Sequence, residues 1–170
     1  RGYEMASLDT TAFGRDWANM YLQRIGSCQL KLGHDDEAAK TFNMLREKAE
    51  ALAMEHPDKA EYQKSCLIIA NNIISVYLNH RKYSNITSWL TMMEEALKRY
   101  AVAETSREKY EKYRSMLICN KAIILAMTGH KKEGEAAYQE YLKTDRAKTY
   151  YGIYDQAFYL ECSEQWDKLL

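Results

Sequence analysis

Three loop positions, Gly33, Arg81 and Gly129, stand 48 residues apart, and three helix-start candidates, Thr10, Asp58 and Ser106, keep the same step. Residue character recurs between these rungs: Leu22, Ala70 and Ile118; Gly26, Ile74 and Ala122; Ala38, Ile86 and Gly134; Phe42, Leu90 and Tyr138 are each small or apolar sets. An internal repeat of this length, made of two helical stretches, constrains the fold more than any other feature of the chain. One helix pair cannot bury its apolar face alone and must stack on the next. The pattern therefore predicts a scaffold that presents a surface, without saying what the surface holds.

Cys66, Ile69, Ala70, Ile73, Ile74 and Tyr77 step by three and four residues, the spacing that puts side chains on one helical face. A single proline and seven glycines in 170 residues favour long helices over the many turns of an all-β chain. Helices are expected at 10–32, 36–55, 58–79, 83–103, 106–128, 131–145 and 147–162. Asp58 followed by Glu61 has the form of a capping box after the Pro57 stop. These helices make one domain, 1–170, of units at about 10–57, 58–105 and 106–146 with a terminal helix at 147–162. Trp166, Leu169 and Leu170 are expected to start a further, truncated helix, and the chain reads as a segment of a longer protein.

The 24 basic side chains match the 24 acidic ones, so no long-range field collects phosphate backbones or anionic lipid, and nucleic acid is not an expected partner. No apolar run approaches the roughly 20 residues of a membrane helix, and the longest candidate, 66–77, is interrupted by Asn71 and Asn72. No membrane contact is expected in this segment. Targeting signals are not visible, so the compartment, cytoplasmic or periplasmic, stays open. Cys28, Cys66, Cys119 and Cys162 lack ligand spacing and read as buried thiols. His34, His56, His80 and His130 fall at helix ends, with no Cys, Asp or Glu cluster of metal-ligand spacing beside them. No phosphate loop and no nucleophile with an evident base is present, so no metal, cofactor or enzymatic activity is expected.

Leu22, Ile25, Gly26, Leu32, Gly33, Glu37, Ala38 and Phe42, and again Ala122, Gly129, Glu133, Gly134, Ala136 and Tyr138, fall at the spacing of a known signature. The chain resembles the tetratricopeptide repeats, with the second unit degenerate: Ile74 and Ile86 replace small residues, and Arg81 replaces the loop glycine. The resemblance implies an all-α, right-handed solenoid of antiparallel helix hairpins, about seven helices here. The family's usual unit is about 34 residues. The excess of 14 is close to four helical turns, which would leave buried faces in register. From Gly129 to Glu164 the step falls to 35.

The family's concave groove pattern, carried across, gives Met20, Gln23, Ser27 and Leu30; Ile68, Asn71, Ser75 and Leu78; Met116, Cys119 and Ile123; and Tyr151, Tyr154 and Phe158. Family members that grip a chaperone tail's terminal carboxylate use lysines, asparagines and an arginine. Here Asn72 matches one asparagine while Gln23, Ser27, Met116 and Asn120 fill the other places, so the carboxylate would lack its cation. The expected partner is instead a protein or peptide with apolar anchors. The alternative is a structural or homodimerising module with no separate ligand. Tyr138, Tyr141, Tyr150, Tyr151, Tyr154 and Tyr159 form either a contact surface or a seam between helices. The long, tyrosine-rich repeats also resemble the sensor segments of bacterial membrane-anchored histidine kinases and helix-turn-helix regulators.

Overall fold

The computed structural model describes residues 12–83 and 85–164, so the expected start at Thr10 and the final Trp166, Leu169 and Leu170 lie outside the described residues. Those described fold into α-helices without strands: α1 (Ala12–Lys31), α2 (Asp35–Glu55), α3 (Ala60–Asn79), α4 (Ile86–Ala103), α5 (Arg107–Met127), α6 (Lys131–Tyr141) and α7 (Tyr150–Cys162), with a short 3₁₀ turn at Arg146–Lys148.

The 48-residue ladder is a ladder of one backbone conformation. Gly33, Arg81 and Gly129 have φ of 80°, 53° and 88°, the left-handed region that ends a helix and reverses the chain. Each rung closes the same pair of hydrogen bonds. His34, Lys82 and His130 N–H donate to the Gln29, Tyr77 and Leu125 carbonyls at 2.9, 3.0 and 2.9 Å. Gly33, Arg81 and Gly129 N–H donate to Leu30, Leu78 and Ala126 at 3.1, 3.0 and 3.4 Å. These satisfy carbonyls that the helix end would otherwise leave bare. Glu164, the rung at the shorter step, also has positive φ, 60°.

Helix starts are less regular. Ser106 caps α5, its side chain accepting the Lys109 N–H. The expected capping box at Asp58 does not form, because the Lys59 N–H donates to the His56 carbonyl and closes a turn through Pro57 and Asp58. The N-cap of α3 thereby moves to Lys59, which offers no side-chain acceptor. α6 stops at Tyr141, short of the expected 145. The Thr144 hydroxyl donates to the Tyr141 carbonyl at 2.7 Å, and the chain turns to bury Ala147. Thr149 then caps α7, accepting the Gly152 N–H at 3.2 Å. A Cβ at Gly152 would collide with the carbonyls of Arg146 and Ala147, so only glycine admits this approach.

One apolar core runs through all the helices, with Phe42, Leu45, Ile73, Ile74, Trp89, Met93, Tyr100, Tyr141 and Tyr159 fully buried. α1 packs on α2, α3 on α4 and α5 on α6 most extensively, and α2 on α3 and α4 on α5 join the pairs. Beyond chain neighbours, α1 meets α3, α3 meets α5, and α5 meets α7. Gly26 takes the Phe42 ring against its backbone, where any Cβ would overlap the ring. Phe42 in turn meets Tyr77 on α3 and Trp89 on α4 edge-on, at 5.5 and 6.4 Å between centroids. Of the four thiols expected to be buried, Cys66 and Cys119 are, Cys162 is half-buried and Cys28 is exposed. Cys28 lies on the outer side of α1, where no described helix covers it.

Candidate functional site

The odd-numbered helices are tied by amides. Asn72 Nδ2 donates to Gln23 Oε1 at 3.1 Å between α3 and α1, and Asn120 Nδ2 donates to Asn71 Oδ1 at 3.0 Å between α5 and α3. The two bonds are one bond repeated, since both partners advance by 48 residues. A polar pair in a mostly apolar seam is satisfied only when the helices are in this register, so it fixes how one helix slides on the next.

Past the second amide pair a cleft of about 390 Å³ opens where α3, α5 and α7 converge. Leu78, Met116, Ile123 and Phe158 give it apolar walls, and Asn71, Asn79, Asn120 and Ser75 give it amide and hydroxyl groups. At one side stand Arg146 and Asp155. Arg146 Nε donates to Asp155 Oδ2 at 2.8 Å, and the hydroxyl of the fully buried Tyr141 donates to the same oxygen at 2.6 Å. That pair holds the start of α7 to the turn behind α6 and leaves the cleft with one cation neutralised by one anion. Burial, and after it the charge of Asp155, raise the Cys119 thiol above its ordinary range. It therefore stays protonated at neutral pH and is a weak nucleophile. Among the described residues no group of three His, Cys, Asp or Glu could hold a metal. No described helix is long and apolar enough to cross a membrane.

Of the groove residues read from the sequence, the fold brings Asn71, Ser75, Leu78, Met116, Cys119, Ile123, Tyr154 and Phe158 to this one cleft. The others fall elsewhere. Leu30 is buried in the core just ahead of the Gly33 turn, and Ile68 is exposed outside the cleft. Met20, Gln23 and Ser27 are half-buried on α1, with the Gln23 amide spent on Asn72. Tyr151 faces a separate charged hollow beside Arg107, Lys143 and Glu140. The tyrosine cluster divides as well. Tyr138 stacks on Tyr159 at 3.9 Å between α6 and α7, while Tyr150, Tyr151 and Tyr154 are exposed.

Sequence reasoning did not include Asn79, Arg146 and Asp155 in the site. Asn79 sits in the last turn of α3, one residue beyond the groove positions taken from that helix. Arg146 and Asp155 are nine residues apart across a turn that takes the place of the end of one expected helix and the start of the next, and no periodicity connects them. Comparison of the chain with family models, with curated proteins and with solved structures gives no match.

Proposed function

We propose that the chain is a tetratricopeptide-like, right-handed stack of antiparallel helix hairpins that acts without catalysis. On this reading it captures a protein or peptide segment in the cleft between α3, α5 and α7. The single observation that carries the proposal is the convergence of eight groove positions, taken from three separate helices, on one cleft. Its chemistry suits such a ligand: apolar walls for an anchoring side chain, amides that can meet a peptide backbone, and no net charge. The neutralised Arg146 argues against a terminal carboxylate as the main handle. The repeated turns at Gly33, Arg81 and Gly129 support the stacked arrangement, as does the repeated amide bond between α1, α3 and α5. Because the cleft is walled by three separate helices, an occupant that fills it would bear on the spacing between them. We infer a sensing role of the kind found in bacterial signalling proteins.

The test is selection from a displayed library of short random peptides, followed by titration of the recovered peptides. Selected sequences should share large apolar residues, and Met116→Asp and Phe158→Asp should each weaken binding at least tenfold while helical content stays unchanged. Failure to enrich any peptide, or binding that both substitutions leave intact, would remove the cleft from the account.

A further inference from the structure

Asn120 lines the cleft and is only 7% exposed, yet half of its amide has no partner. Its Nδ2 donates to Asn71 Oδ1 at 3.0 Å and to Met93 Sδ at 3.6 Å, which engages both protons. Its Oδ1 receives no donor among the described residues. Asn71 is left with the opposite half: its Oδ1 accepts from Asn120, and its Nδ2 has no acceptor among the described residues. A carbonyl withdrawn from water without a donor is destabilising, and a ligand that supplies one recovers that free energy on binding. The joined amides thus present a free acceptor on α5 and a free donor on α3 to the same cleft.

That complement discriminates between ligand backbones. A helical segment bonds its own N–H and C=O groups internally, so laid in the cleft it would leave Asn120 Oδ1 bare. A residue in extended conformation points its N–H and C=O to one side and can exchange both. The spacing of the cleft's polar groups agrees. Asn71, Ser75 and Asn79 step by four along α3, the row that makes a ridge on a helix surface, and all three line the cleft. The Ser75 hydroxyl donates to the Asn71 backbone carbonyl at 3.0 Å, which leaves its oxygen able to accept. The Asn79 amide is exposed and has no partner among the described residues. A step of four residues along an α-helix is about 6 Å, and two residues of extended chain rise about 6.6 Å. Backbone groups on one edge of an extended segment therefore recur nearly in step with this row.

We propose that the occupant of the cleft is an extended polypeptide segment laid along α3, and not a helix. One of its residues exchanges N–H and C=O with Asn120 Oδ1 and Asn71 Nδ2, and residues further along the same edge reach Ser75 and Asn79. From Asn71 to Asn79 the row is about 12 Å long, which an extended chain covers in about four residues. Met116, Ile123 and Phe158 supply the apolar surface for alternate side chains of that segment. Affinity then comes from the ligand's backbone and selectivity from every second side chain.

The inference rests on the preceding reading that the cleft captures a peptide, and two displayed libraries separate the two. One carries random linear heptapeptides, and the other carries random amphipathic helices held helical by a side-chain crosslink. Linear peptides should be enriched and should lose at least tenfold in affinity on Met116→Asp, while crosslinked helices should not be enriched. Single amides of a recovered peptide are then replaced by esters, each of which removes one N–H. Binding should fall at least tenfold at alternate positions and less than threefold at those between. At one sensitive position the loss should vanish in Asn120→Leu, which has no acceptor to lose. The alternation is read on the wild-type protein, so it stands even where Asn120→Leu lowers stability. Helices recovered as readily as linear peptides, and sensitive to Met116→Asp, would overturn the extended backbone while the cleft keeps its role. Ester losses spaced three or four residues apart, or undiminished in Asn120→Leu, would overturn it too. Enrichment from neither library would remove both proposals.

Discussion

Arg81 holds φ 53° where the two equivalent turns use glycine, and a side chain pays about 1–2 kcal/mol for that conformation. No atom lies within 4 Å of a Cβ built on Gly33 or Gly129, so the demand there is conformational rather than steric. Arg81→Gly is expected to stabilise the chain by about 0.5–1 kcal/mol and Gly129→Ala to destabilise it by about 1 kcal/mol. Urea denaturation measures both as shifts of midpoint. Equal effects of opposite-sense changes at an ordinary loop position would not arise, so no change at Arg81 would mean the turn is not under this constraint. These rungs were legible in the sequence because a left-handed residue leaves a compositional mark, glycine, at fixed distance from the next. Gln63 left no such mark. It is fully buried, donating to the Ala53 carbonyl while accepting from Arg99 Nε at 2.8 Å. A glutamine in a polar helix start looks solvated until the fold places three helices around it.

At the scale of elements, helix existence followed from the three-and-four spacing of apolar residues, and the ends did not. The residues from Leu142 to Arg146 contain neither glycine nor proline, so no helix breaker marks the end of α6 at Tyr141. The stop combines a local bond, from the Thr144 hydroxyl back to the Tyr141 carbonyl, with the burial of Ala147, which only tertiary packing provides. The same turn creates the Arg146–Asp155 pair, which is why that part of the candidate site was not foreseen. Asn71, by contrast, was foreseen as a groove position although its bond to Asn120 was not. The amide pairs make a specific claim about how elements register. In a double-substitution cycle, Asn71→Ala with Asn120→Ala should show a coupling of about 1 kcal/mol, and Gln23→Ala with Asn72→Ala a similar one. Gln23→Ala with Asn120→Ala should be additive within error, because those residues belong to different bonds. Additivity in all three cycles would deny the amides any part in holding the register.

For the whole molecule, the account rests on successive helix pairs advancing along one direction, since the proposed groove depends on that geometry. The 48-residue period is the sequence's ground for expecting this arrangement; the groove positions expected on α1 are not in the cleft, because Gln23 and Leu30 are consumed in packing α1 itself. Lys40, Ser88 and Ala136 occupy equivalent exposed positions on α2, α4 and α6, each 48 residues from the next. Spin labels can be placed there after replacing the native cysteines, and distances between them measured in solution by pulsed dipolar spectroscopy. In an advancing stack the 40–88 and 88–136 separations should each be about 20 Å, the width of two packed helices, and the 40–136 separation should clearly exceed both. A 40–136 distance equal to or shorter than the single steps would mean that the pairs close on themselves, and would contradict the account.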